Sequence, residues 1–107
     1  MGVHRVTSEA AKAYVKREKV LGNAISLLGR ASTIVDELDD DILQECGDLA
    51  ADLLPHAPGY AGKLMLVIAR LFWSVAGLPH KDGRATSLDE VETRLKKLET
   101  SLPGPEE

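Results

Sequence analysis

Residues 39–55 read DDDILQECGDLAADLLP, and this stretch carries the clearest signal for the fold class. Its three leading carboxylates suit the positive end of a helix dipole, and Asp41 with Gln44 resembles a capping box. Pro55 ends the pattern because proline cannot continue a helix. The stretch therefore predicts an amphipathic helix over 41–54. Its apolar face consists of Ile42, Leu43, Cys46, Leu49, Ala50, Leu53 and Leu54.

Residues 87–102 give the second strong helix signal. Ser87 and Glu90 form the Ser-x-x-Glu capping box, which predicts a helix over 88–102. Glu90 and Arg94 are four residues apart, a spacing that favours an ion pair along one helix. The apolar residues step by three and four through two heptads. We call them the heptad seam: Leu88, Val91, Leu95, Leu98 and Leu102.

The segment 59–77 is the most apolar of the chain, with Pro58 at its start and Gly77 as a glycine C-cap. Because it is apolar around most of its circumference, it predicts a helix at the centre of the bundle. Arg70 interrupts the apolar run. Its charge either reaches solvent along its stem, forms a buried pair, or anchors an interface beside Trp73.

The first helix is predicted over 8–37, with Thr7 and Ser8 as capping residues. Gly22 and Gly29 interrupt its pattern and leave two alternatives. Either the helix is broken near Gly29, or it is continuous and the glycines let a neighbouring backbone approach closely. We favour the continuous helix because the glycines lie seven residues apart beside a ladder of seven-residue spacing. That ladder consists of Tyr14, Leu21, Leu28 and Val35.

These four segments predict an all-α fold, a compact bundle of about four helices. The chain has 107 residues, of which 44% are apolar and 28% charged, so one core is expected. We predict a single helical domain over 1–102 and a flexible acidic tail over 103–107. No segment alternates polar and apolar residues long enough to predict a strand.

The sequence also predicts a cytoplasmic protein without membrane association. The apolar stretch from Leu64 to Leu78 is shorter than the ~20 residues that a membrane span needs. The N-terminus lacks the apolar region of a secretory signal. Cys46 is the only cysteine, so no disulfide within the chain is possible.

Charge is distributed unevenly along the chain. Residues 31–62 contain eight acidic residues and no Lys or Arg. Four acidic residues share one face of the second helix, and we call them the acidic stripe: Asp41, Glu45, Asp48 and Asp52. We favour a solvated outer face for this stripe, with docking to a basic partner or mimicry of nucleic-acid phosphates as the alternative. Carboxylates on this face would repel a phosphate backbone.

A basic stripe occupies the first helix and consists of Arg5, Lys12, Lys16 and Lys19. With a pI near 5.3 and one aromatic residue nearby, this stripe gives little support to nucleic-acid binding, which we do not expect. A solvated face, with a charge match inside the molecule or to a second copy, is the favoured interpretation.

We find no residues for catalysis, for a metal or for a cofactor. His4, His56 and His80 have no partner at the spacing of a metal site. Cys46 lies on an apolar face among acidic neighbours, where a thiol is structural and unreactive. We therefore predict that the protein is not an enzyme.

The leading functional hypothesis is a non-enzymatic helical module for protein–protein interaction, self-associating through the heptad seam or the ladder of the first helix. If left exposed, the heptad seam would be a sizeable apolar patch. The equally weighted alternative is that the seam packs inside the monomer. The second hypothesis is a small acidic inhibitor or regulator that docks a basic surface through the acidic stripe, helped by Asp36 and Glu37.

Overall fold

A computed structural model describes residues 2–103, and it describes the side chains from Ser8 onwards. This part of the chain is all-α and contains no strand, which confirms the predicted fold class. The helices are α1 (Gly2–Ser32), α2 (Asp40–Leu53), α3 (Tyr60–Ala76) and α4 (Leu88–Ser101). Short 3-10 helices, Val35–Glu37 and Leu54–His56, flank α2. The predicted tail lies, apart from Pro103, outside the described residues.

The helix α2 is the hub of the bundle. It packs most extensively against α3 and also contacts α1 and α4, while α1 and α4 pack against each other. The prediction that the third helix is the centre is therefore wrong. α3 buries one face, formed by Met65, Ala69, Phe72 and Trp73, and leaves apolar residues of its other face exposed. An apolar sequence shows that a helix can be surrounded but not which neighbours the chain supplies.

The helix α1 runs without a break through Gly22 and Gly29. It begins at Gly2, before the predicted cap at Thr7 and Ser8, and ends at Ser32 rather than 37. A side chain at either glycine would meet open space, so the predicted close approach of a neighbouring backbone is wrong. Both glycines lie on the solvent side, where the cost of roughly 1 kcal/mol each in a helix is offset by packing on the opposite face.

Packing of α1 against the body starts at Val20. From Val20 to Ala31 its buried side chains form part of the core, whereas none of the side chains of residues 8–19 is buried. The described chain accordingly measures 54 × 34 × 21 Å along its principal axes. The stretch 8–19 of α1 therefore offers its surface to solvent.

The caps predicted at Ser87 and Gly77 are present in the structure, whereas the capping box predicted at Asp41 is not. The Ser87 hydroxyl accepts a hydrogen bond from the Glu90 amide at 3.1 Å, which confirms the predicted cap of α4. Gly77 ends α3 in the left-handed conformation, with φ of 74°. The N-cap of α2 is Asp39, without a side-chain hydrogen bond, so the predicted Asp41 capping box is wrong. Its carboxylates instead sit at the positive end of the helix dipole.

Candidate interaction surface

The heptad seam packs inside the monomer. Val91, Leu95, Leu98 and Leu102 are buried in the same core as α1 and α2, and Leu88 is half-buried against it. The capped helix α4 positions them on one face, and that face is turned to the body. This arrangement is the alternative in which the seam stabilises the fold, and it leaves little of the seam for another chain.

The acidic stripe is largely engaged by this chain's own cations. Arg94 on α4 reaches across to α2 and donates two hydrogen bonds to Glu45, from Nε at 3.0 Å and from Nη2 at 3.1 Å. Its Nη1 donates to Oδ2 of Asp52 at 2.7 Å. The sequence predicts an ion pair between Arg94 and Glu90 along α4, but Arg94 instead bonds Glu45 and Asp52 on α2. The bonds to Glu45, followed by the bond to Asp52, raise the pKa of the Arg94 guanidinium.

Asp52 is the only buried charged residue of the described chain, with 2% of its surface exposed. Its second oxygen accepts a hydrogen bond from the backbone amide of Arg84 at 2.6 Å. Gly83 approaches the Ala51 carbonyl so closely that a side chain would have no room. Asp52 therefore joins three parts of the fold: α2, α4 and the loop that precedes α4.

Asp48 belongs to a second contact, between α2 and α3. Trp73 donates its indole N–H to Oδ1 of Asp48 at 3.0 Å, and Lys81 Nζ lies 3.3 Å from the same oxygen. The Trp73 ring packs directly on Gly47, where no larger residue fits. Trp73 is buried within the chain, so its side chain is part of the core and is not exposed to a partner. Gly47, in the middle of a strongly amphipathic helix, is the sequence signal from which this contact could have been predicted.

These contacts change the interpretation of the acidic stripe. Asp41 alone of its four members is exposed, and the other three each bond a cation or an indole. The favoured prediction of a solvated outer face is wrong for these three. Because their charge is paired within the molecule, they give little support to mimicry of nucleic acid. Asp36 and Glu37 are exposed in the 3-10 helix before α2.

The outward side of α3 is apolar, and the described fold leaves it exposed. We call it the α3 outer face and define it by five residues at spacings of four, three, four and four. They are Tyr60 (84% exposed), Leu64 (half-buried), Val67 (63%), Leu71 (44%) and Val75 (47%). At 3.6 residues per turn, these spacings place all five along one stripe of the helix. Isolated exposed apolar residues are common, but a stripe along four turns forms an apolar patch of the kind that marks an interaction site.

Lys63 and Arg70 lie along one edge of the α3 outer face. Both side chains are exposed, and neither forms an ion pair with a described residue. Arg70 therefore reaches solvent, and the predicted alternative of a buried pair is wrong. α3 contains no Asp or Glu, so these two cations are its only charges.

The described members of the basic stripe of α1, Lys12, Lys16 and Lys19, are exposed, and one of them is paired. Lys16 forms an ion pair with Asp89 at the start of α4, and this hydrogen bond raises the pKa of Lys16. The Arg17 guanidinium lies 5.6 Å from the centre of the Tyr14 ring. The side chain of Arg5 lies outside the described ones. The charge match within the molecule thus involves one predicted member of the stripe.

Cys46, His56 and His80 are each buried or held by a hydrogen bond within the chain. Cys46 is buried, and burial, together with the charge of Glu45, raises its pKa to about 12, so the thiol is protonated at neutral pH. His56 Nε2 lies 2.5 Å from the Thr86 carbonyl, and His80 Nε2 lies 3.0 Å from the Ser74 hydroxyl. In this part of the chain no group of three His, Cys, Asp or Glu side chains could hold a metal ion. A cleft of about 260 Å³ between α1 and α4 is lined by both cations and carboxylates.

The fold defines a small all-α bundle in which one helix leaves a long apolar face uncovered. An uncharacterized protein of Archaeoglobus fulgidus is 55% identical over 102 residues, which cover 95% of this chain and 94% of that protein. The chain therefore belongs to the same family as the Archaeoglobus fulgidus protein. No protein-family model and no solved structure matches it. Among the described residues, no helix is both long and apolar enough to span a membrane.

Proposed function

We propose that this protein is a non-enzymatic helical module for protein–protein interaction and that it binds through the α3 outer face. The observation that supports this proposal is the exposure of Tyr60, Val67, Leu71 and Val75 along one stripe. The opposite face of the same helix is held in the core by Met65, Ala69 and Phe72. A stripe on a helix anchored in this way is a preformed surface, so little ordering entropy is lost when a partner binds.

Two surfaces that the sequence offered for binding have other uses in the fold. The heptad seam lies in the core, and three members of the acidic stripe are paired within the molecule. The α3 outer face is different because most of its side chains remain exposed in the described chain. Burying apolar surface contributes about 25 cal/mol for each Å² removed from water, so a helix that covers this stripe would be bound favourably.

Site-specific photo-crosslinking tests the proposed surface. A photoreactive residue replaces Val67 on the α3 outer face or, as a matched control, Lys97 on the exposed side of α4. Each labelled protein is irradiated in a native lysate, and the adducts are separated by mass. We expect a discrete protein adduct from position 67 that is absent from position 97 and is lost when Leu71→Asp is added. The same adducts at both positions, or none at position 67, would contradict the proposal.

Self-association is a separate prediction, and light scattering tests it. The seam that was expected to mediate it is buried, whereas the α3 outer face and residues 8–19 of α1 are exposed and could pair two copies. The mass is measured at tens of micromolar for the wild type and for Leu71→Asp. A single monomer mass for the wild type would exclude the homodimer.

A further inference from the structure

The α3 outer face has an asymmetric edge that restricts what can cover it. Lys63 and Arg70 both lie on one side of the stripe, and they are seven residues apart. Seven residues correspond to about 10 Å along a helix axis, which is one heptad of a packed partner helix. α3 itself places no charge on the other side of the stripe, because it has no further charged residue.

We infer that the occupant of this face is an amphipathic helix of another protein, with acidic residues along one edge of its apolar stripe. This inference rests on the proposed function and adds the chemistry of the partner. The apolar side chains of such a helix cover Val67, Leu71 and Val75. Two of its carboxylates, one heptad apart, lie beside Lys63 and Arg70, where opposite charges set the register and the orientation of the pair.

A second copy of α3 does not meet this requirement. An antiparallel pair about a two-fold axis near Val67 places Lys63 of one copy beside Arg70 of the other, because a symmetric interface brings the same edges together. Like charges at such positions are destabilising. A parallel pair offers no carboxylate either, since α3 has no Asp or Glu. The charge pattern therefore favours a partner with a different sequence.

An anionic membrane surface fits the charge of the molecule less well than an acidic helix. Two cations give weak attraction to anionic lipid, and stable anchoring usually needs a larger cluster of Lys or Arg. The whole chain has a formal net charge of −4. Exposed carboxylates of Asp36, Glu37 and Asp41 add repulsion from an anionic surface. A helix with a few placed carboxylates meets the same two cations and carries far fewer negative charges to be repelled by the rest of the molecule.

A displayed peptide library provides the test. The peptides are amphipathic helices with leucine at the a and d positions and with either Glu or Lys at each flanking e and g position. They are selected for binding to the full chain and to the double variant Lys63→Glu, Arg70→Glu. The matched control is Lys12→Glu, Lys97→Glu, which makes the same charge change at exposed cations outside α3. Circular dichroism confirms that each variant is folded.

We expect wild-type and control proteins to select peptides with Glu at two flanking positions one heptad apart, and the double variant to select Lys there. The preferred peptide should bind about tenfold more tightly than its charge-reversed version, because two attractions replace two repulsions. Binding should be lost with Leu71→Asp and should weaken at high salt.

Three results would overturn the inference, and they separate it from the proposed function. Peptides that require Leu71 but show no preference for Glu would exclude an acidic partner and leave helix docking intact. Failure to select any peptide whose binding requires Leu71 would contradict both. The third result uses vesicles of phosphatidylserine and phosphatidylcholine. If the chain sediments with them and Leu71→Asp abolishes this, while no peptide requires Leu71, the face would bind lipid instead.

Discussion

Arg94 Nη1 donates a hydrogen bond to Oδ2 of Asp52 across 2.7 Å, at the place where α4 packs against α2. The Arg94 side chain is 16% exposed and the Asp52 side chain 3%, so both charges are largely removed from water. Each residue has other partners. Arg94 also donates two hydrogen bonds to Glu45, and Asp52 also accepts a hydrogen bond from the Arg84 backbone amide. A largely buried ion pair with additional hydrogen-bond partners on both sides fixes how two helices meet, and removing one member is costly.

Replacing Arg94 by Met should lower the free energy of unfolding by about 3 kcal/mol, since Asp52 would keep its charge in the interior without the guanidinium. Urea denaturation followed by circular dichroism measures the change. The control is Lys97→Met on the exposed side of α4, which should stay within about 0.5 kcal/mol of the wild type. Adding Asp52→Asn to Arg94→Met should recover part of the loss. A loss no larger than that of the control would contradict this account of the pair.

Gly47→Ala should lower the free energy of unfolding by about 2 kcal/mol, because the added methyl overlaps the Trp73 ring and overpacking costs more than the helix propensity of Ala gains. The new Cβ would lie 2.5 Å from Trp73 Cδ1 and Nε1. Gly22→Ala is the matched control, since its methyl enters open space and should raise stability by up to about 1 kcal/mol. Thermal unfolding and Trp fluorescence check both. Equal effects at the two glycines would contradict the contact.

Cys46 should make stability fall as the pH rises through the alkaline range. Burial raises the pKa of its thiol from the ordinary 9.0 to about 12. Between these values the unfolded chain loses the thiol proton while the folded chain keeps it, so the unfolded state is favoured as pH increases. The extra slope is measured by comparing urea midpoints of the wild type with those of Cys46→Ala from pH 8 to pH 11. Parallel curves for the two proteins would contradict the shift.

The parts of the fold that the sequence predicted well depend on local signals. Ser87 with Glu90 at the start of α4, and Gly77 at the end of α3, each act through hydrogen bonds within one turn of a helix, so their residue types suffice. The heptad spacing of α4 likewise predicts which residues share a face. It does not say whether that face meets the same chain or another one.

The parts that the sequence did not predict depend on contacts between distant segments. Arg94 has a plausible partner four residues away in Glu90, yet it bonds residues 49 and 42 positions earlier, where α2 passes beneath it. The prediction that α3 lies at the centre of the bundle failed for a related reason, because the apolar character of a helix does not specify its neighbours. The sequence does not distinguish the α3 outer face from the rest of that helix, because only the packing of α2 against the opposite side separates the two faces.

The two faces of α3 should differ sharply in their contribution to stability. Met65 is fully buried and Leu71 is 44% exposed, and both lie in the interior of the same helix. Met65→Ala removes buried surface and leaves a cavity, so it should lower the free energy of unfolding by about 3 kcal/mol. Leu71→Ala removes a side chain already in contact with water and should cost about 0.5 kcal/mol, as is usual for exposed positions. Urea denaturation of the two variants, at matched concentrations, gives the comparison. If α3 were surrounded by other helices, as its sequence alone suggests, the two losses would be similar.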